Sequence, residues 1–204
     1  MKIVIIDYGM GNIHSVAKSI QVCGVEPIIS NKKSEISSAD KIVLPGVGAF
    51  DDAMLELKKL DLISVILRQV DCKKPFLGIC LGMQLLLESS QEAEMNKGLG
   101  IIKGQVVKFN SAPGLKVPHM GWNDCKVVAK DCLLLSGISS GTQVYFCHSY
   151  YPQPSDKSVI AATSNYGGEF CCVLRQGNVY GVQFHPEKSQ ALGLKIIKNF
   201  VNLC

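Results

Sequence analysis

Cys80 stands in Gly-Ile-Cys-Leu-Gly at the end of the apolar run KPFLGICLG, and far downstream the chain reads GVQFHPEK, which places His185 and Glu187 two residues apart. A thiol, an imidazole and a carboxylate are a nucleophile, a base and a group that orients the base. That set performs acyl transfer through a thioester. A strand that turns sharply into a helix exposes its corner side chain, and the small neighbours Gly78 and Gly82 keep the approach clear. The following LGMQLLLESSQ has helical spacing, so the sulfur is expected near a helix N-terminus, where the backbone dipole and a nearby histidine favour thiolate. His185 and Glu187 alternate, so in an extended strand they share a face, and Glu187 accepts from one ring nitrogen while the other turns to sulfur. Free cysteine is among the most buried residue types. The other eight cysteines of the nine are therefore read as packing residues. His-Pro-Glu alone could simply end a strand at Pro186; its occurrence after the cysteine elbow, in that order, carries the reading.

These groups need a scaffold that ends a strand at Cys80. The first half of the chain alternates strand and helix signals: KIVIID, EPIIS, KIVLPG and PFLGIC read as strands, and HSVAKSIQVCG (stopped by Gly24), AFDDAMLELKKL and DLISVILRQVD as helices. Strands separated by helices predict an α/β fold, a central, mostly parallel sheet flanked by helices, with the site at the carboxyl ends of the strands. The second half is richer in β-structure. GQVVKF, KVVA, TQVYFCHSY, SVIAATS, FCCVLRQ and NVYGVQF are short strand candidates broken by turn residues, and LGLKIIKNFVNL closes the chain as a helix. With no repeat, low-complexity tract or linker, residues 1–204 read as a single domain.

Composition fits that picture. A chain of 204 residues, 47% hydrophobic and 19% charged, is ordinary for a globular protein with a real core. Its longest apolar runs are too short to cross a bilayer, and MKIVIID enters strand pattern directly, without the segments of a secretory leader. A cytoplasmic protein is expected. An odd cysteine count with neighbouring Cys171 and Cys172 fits a reducing compartment, and no Cys-x-x-Cys pair or zinc spacing occurs; neither metal nor cofactor is expected. The net charge of +4 is spread without a basic stripe, which leaves nucleic-acid binding without support.

The elbow followed late by His-x-Glu resembles the class I (triad) glutamine amidotransferases. IDYGMGN, LPGVGAF, GICLGMQLLLESS, VPHMGWN, YFCHSYY and GVQFHPEKSQ, in that order from Ile6 to Gln190, are more closely similar to the glutaminase subunits of imidazole glycerol phosphate synthases. The resemblance implies a flavodoxin-like amidotransferase fold in which Cys80 attacks the glutamine carboxamide and His185 passes a proton to departing ammonia. It implies an oxyanion site at the backbone N–H of Leu81 and at Val47 in Pro45-Gly46-Val47-Gly48, a strand thought in this family to switch on allosterically; without it, that segment reads as a tight turn. Gly48, Gln84, Glu92, Ser149 and Tyr150 match the family's substrate contacts, with Gln84 and Glu92 expected on the elbow helix. The implied partner is a (β/α)8-barrel cyclase subunit, giving a heterodimer that passes ammonia to a ribonucleotide. Asn12, His119, Met120, Trp122, Tyr145 and Lys188 match its docking positions. LLLESSQEA and the paired cysteines of FCCVLRQ depart softly from the pattern. Two alternatives stay open: a paralogous amidotransferase that supplies a sugar nucleotide in surface-polysaccharide synthesis, and a stand-alone thiol hydrolase or binding module.

Overall fold

A computed structural model describes residues 1–110 and 114–204. The first half supplies strands β1 (Ile3–Ile6), β2 (Ile28–Ser30), β3 (Lys41–Gly46) and β4 (Phe76–Cys80), and helices α1 (Ile13–Val22), α2 (Lys33–Ser37), α3 (Phe50–Lys59), α4 (Ile63–Asp71) and the single turn α5 (Leu81–Gln84). After these come β5 (Ser89–Ser90), β6 (Gly104–Lys108), β7 (His119–Val127), β8 (Thr142–His148), β9 (Tyr150–Pro154), β10 (Ile160–Asn165), β11 (Glu169–Gln176), β12 (Val179–Val182) and the closing helix α6 (Gln190–Asn202). A nine-stranded sheet runs β2-β1-β3-β4-β12-β11-β10-β7-β8, and a three-stranded sheet runs β5-β6-β9. β12 pairs parallel to β4 and antiparallel to β11, so the sheet changes from parallel to antiparallel at that strand.

Every residue of β1, β3, β4 and β12 is buried. Near-continuous apolar runs are what a parallel strand covered on both faces requires. The pleat divides them: Ile3, Ile5, Val43 and Leu77 face one core with Val16 and Ile20 of α1 and Ile196, Ile197 and Phe200 of α6. On the other face, Val4, Ile6, Ile42 and Phe76 pack with Phe50, Met54 and Leu57 of α3 and Val65 and Ile66 of α4. The Lys41 ammonium donates to the carbonyls of Phe200 at 2.9 Å and Val201 at 2.8 Å, which fastens the end of α6 to β3.

Several elements depart from sequence expectation. The elbow helix is a single turn, and Leu85, Leu86 and Leu87, all buried, follow it outside regular helix. Their carbonyls accept instead from a returning segment: Leu99 N–H donates to Leu85 at 2.8 Å, Ile102 to Leu86 at 2.9 Å and Gly100 to Leu87 at 3.1 Å. VPHMGWN, which carries Pro, Gly and Asn, nevertheless supplies the first half of the nine-residue β7. Short α2 and proline-bearing β9 gave no periodic signal.

Candidate active site

β4 delivers Cys80 to the carboxyl edge of the parallel strands, and the chain turns there into α5. The turn is tight because α5 lies directly on β3: a Cβ at Gly82 would stand 1.8 Å from the Leu44 carbonyl oxygen. Cys80 accommodates the corner at φ +54° and ψ −111°, a conformation costly for a residue with a Cβ. The sulfur opens on a cavity of about 300 Å³, at the small end of ligand pockets.

His185 reaches the same cavity, though not from a strand. β12 ends at Val182, and His185 precedes a 3-10 turn, Pro186–Lys188, that folds Glu187 back under the ring. Its Nδ1 lies 2.9 Å from Glu187 Oε1, and both side chains are buried. Asn12 donates to the same Oε1 at 3.5 Å, and Oε2 has no partner among the described residues. The backbone is pinned: His185 N–H donates to Tyr145 O at 2.9 Å, and Ser189 Oγ donates to His185 O at 2.7 Å. Burial alone would lower the pKa of His185, but the Cys80 sulfur and the Glu187 carboxylate outweigh it and raise the imidazole to about 10. The ring is therefore cationic near neutrality, and an imidazolium beside sulfur is the arrangement of a thiolate nucleophile.

The cavity wall carries Val47, Gly48, Leu81, Gln84, Glu92, Ser149, Tyr150 and Lys188. The Leu81 N–H is the first of α5 and has no acceptor within that turn. Gly48 has φ +99°, and a Cβ there would meet Met10 Cε at 2.8 Å, so the loop after β3 requires glycine. Glu92 is not on the elbow helix; it follows β5, and its Oε2 accepts from Phe50 N–H at 3.0 Å at the start of α3. Burial raises the Glu92 carboxyl, opposed by that hydrogen bond and reinforced by Asp51 and Asp52. Gln84 is buried, and its amide nitrogen donates to Tyr150 O at 2.9 Å and to Gln183 Oε1 at 3.1 Å.

Beside the cavity, Met120 and Trp122 project from β7, 61% and 44% exposed. Trp122 meets Tyr145 edge to face at 6.1 Å, and the Lys188 ammonium sits 5.8 Å over the Tyr145 ring. His119 does not join this face. It is buried, stacked between Tyr166 at 4.0 Å and Phe146 at 4.8 Å, because alternation along β7 turns it inward. Burial lowers it to about 4 and His148, also buried, to about 3, so both rings are neutral.

Gln183 and His148 belong to the site and were not singled out from sequence. Gln183 lies within VQF, where a glutamine among apolar residues must find partners when buried. His148 stands at the end of β8 and lines the cavity. Cys125, Cys132, Cys171 and Cys172 are buried, whereas Cys72 is exposed and is no packing residue. Among the described residues no group of three or more His, Cys, Asp or Glu side chains converges as a metal site, and no helix is long and apolar enough to cross a membrane.

Comparison with known proteins places this geometry. The family model for class-I glutamine amidotransferases matches residues 4–203. The chain is 49% identical over 198 residues to the imidazole glycerol phosphate synthase subunit HisH of Rhodopirellula baltica, covering 97% of this chain and 96% of that one. It is likewise 49% identical over 201 residues to the subunit of that name from Aquifex aeolicus, covering 98% and 96%. Among solved structures, PurLQS from Thermotoga maritima superposes with a TM-score of 0.77 at 19% identity, covering 98% of this chain and 97% of that one. That likeness extends the agreement to the fold.

Proposed function

The chain belongs to the class I glutamine amidotransferase family, and from that premise we propose that it is the glutaminase subunit of an imidazole glycerol phosphate synthase, hydrolysing glutamine and supplying ammonia to a cyclase subunit for histidine biosynthesis. Near-full-length identity of 49% to relatives of that name supports the pathway. The observation that carries the chemistry is the convergence, on one cavity, of the strained Cys80 corner with the His185–Glu187 pair.

The Cys80 sulfur attacks the side-chain carbonyl carbon of glutamine, and the carbonyl π pair moves onto oxygen. Backbone N–H groups of Leu81 and Val47 are the proposed donors to that oxyanion, each such donor typically being worth about 10²–10³ in rate. The imidazolium of His185 gives its proton to the amide nitrogen as the C–N bond breaks, so ammonia leaves and a glutamyl thioester remains. His185, now neutral, takes a proton from water, whose oxygen attacks the thioester and releases glutamate. Glu187 keeps the ring in the required tautomer and stabilises its charged form. Glu92 Oε1 is the proposed partner of the substrate ammonium, with Gly48, Gln84 Oε1, Ser149 and Tyr150 completing the pocket.

Ammonia released into water becomes ammonium and loses its nucleophilic pair, so the cavity mouth must be sealed by the acceptor enzyme. The exposed Met120 and Trp122, with Asn12, Tyr145 and Lys188, form the proposed docking face for a (β/α)8-barrel cyclase in a heterodimer. The test mixes the chain with candidate cyclase subunits and follows glutamate release, with Cys80→Ala as control. Low turnover alone and a sharp rise with the cyclase and its nucleotide ligand are expected. Full turnover without a partner refutes the docking reading, and turnover by Cys80→Ala refutes the nucleophile.

A further inference from the structure

We propose that Gln183 is a positioning residue that directs a carboxamide N–H at the Cys80 sulfur and so favours its thiolate form; this rests on the proposed thiol chemistry. Gln183 is fully buried, its Oε1 accepts from Gln84 at 3.1 Å, and its Nε2 lies 3.8 Å from Cys80 Sγ.

An amide can be turned end for end, and the network decides which end faces the sulfur. Tyr150 O is a backbone carbonyl and only accepts. The Gln84 amide atom 2.9 Å from it is therefore nitrogen. Gln84 then donates its second N–H, so the Gln183 atom facing it is oxygen. Gln183 is left with its NH₂ toward Cys80, and among the described residues the sulfur accepts from it. The anchor is doubly held: His148 Nδ1, 2.8 Å from Tyr150 O, donates there as well. His148 Nε2 is then the acceptor for His119 Nδ1 at 3.0 Å, and Asn123 Nδ2 approaches His119 Nε2 at 3.1 Å.

Sulfur accepts weakly as a thiol and much better as a thiolate, so a donor that cannot turn away discriminates between the two. The Cys147 carbonyl, 4.0 Å from the sulfur, is an acceptor and opposes this, which makes a dedicated donor on the other side consequential. The titratable groups around Cys80 are His185 and Glu187 from the loop after β12, Cys147 and His148 from β8, Tyr150 from β9, Tyr8 from the loop after β1, and Glu92 and Lys188 on the cavity wall. Gln183 is neutral and acts alongside their charges through direction alone.

Gln183→Met keeps length and burial while deleting the donor, and with it the Oε1 that accepts from Gln84, whose other bond, to Tyr150 O, remains. The full chain is alkylated with iodoacetamide across a pH series, the Cys80 peptide is quantified by mass spectrometry, and steady-state glutaminase is measured with the cyclase present. We expect the alkylation profile of Cys80 to move up by about one pH unit, and kcat to fall about tenfold or more with KM changed less than twofold. An unmoved profile with unchanged kcat in the folded variant overturns the proposal, as does a loss confined to KM. Should Gln183→Met not fold, the side-chain amide resonance of Gln183 in the unaltered chain decides. It must shift with pH in step with Cys80 alkylation, and a pH-invariant resonance overturns the assignment. Alkylation is read without glutamine, so this failure is distinguishable from failure of the glutaminase reading, which Cys80→Ala tests.

Discussion

Gly82→Ala concentrates the relation between fold and chemistry in one methyl group. The added carbon would lie 1.8 Å from Leu44 O and 2.9 Å from Leu44 C, both backbone atoms of the central strand β3. Contacts under 3.0 Å force something to shift, and a strand paired on both sides cannot give way. α5 must therefore lift by more than 1 Å, carrying Leu81 and the Cys80 corner with it. Overpacking of this severity exceeds the ordinary cost of about 1–3 kcal/mol, and about 4 kcal/mol is a fair expectation. For a chain of this size that lowers Tm by roughly 8–16 °C. A nucleophile displaced by about 1 Å loses on the order of 10² in rate even where the fold survives. Thermal unfolding followed by circular dichroism, and glutamate release with the cyclase well below the midpoint, measure the two effects separately. A Gly82→Ala protein with unaltered Tm and turnover would show that α5 does not press on β3, and the explanation of the strained Cys80 corner would fall with it.

Glu187→Gln keeps the shape under the His185 ring but removes its negative charge, and kcat is expected to fall about 10²–10⁴-fold with the variant still folded; turnover within threefold of the unaltered enzyme would remove Glu187 from the mechanism. Stability should also depend on His185. Its folded pKa of about 10 exceeds the ordinary histidine value of 6.5, so its contribution is fully present below about pH 6.5 and is lost as pH rises through 10. Urea midpoints across that window should therefore decline, and decline less in Cys80→Ala, where one partner of the imidazolium is gone; parallel curves for the two proteins would contradict the pairing.

Much of the scaffold was legible because burial writes itself into the order of residues. The strand expected at KIVLPG is Lys41–Gly46, and the helices expected at HSVAKSIQVCG and AFDDAMLELKKL are Ile13–Val22 and Phe50–Lys59. Such segments carry a period that matches their own secondary structure, and both faces of the sheet need apolar cover. LGMQLLLESSQ misled for the complementary reason. Helical spacing was present, but the leucine carbonyls found partners in Leu99–Ile102, which no local pattern announces. Glu92 thereby left the helix and came to rest against the start of α3. His119 matched a docking position by motif, yet the strand expected at KVVA extends back to His119, and alternation along it buries that residue beneath the face.

The sequence by itself determined which groups are available: a thiol on a glycine-bracketed corner, an imidazole and carboxylate two residues apart, and a chain order that resembles one amidotransferase subfamily. Covalent spacing and residue type are local properties, and they can be read without a fold. Tertiary structure alone decided how those groups face one another. His185 and Glu187 meet across a 3-10 turn in place of a shared strand face, and Gln183 points an N–H at sulfur because a carbonyl in β9 fixes Gln84. Direction in a buried hydrogen-bond network is set by which partners lack a proton to give or a lone pair to accept, and those partners come from segments distant in sequence.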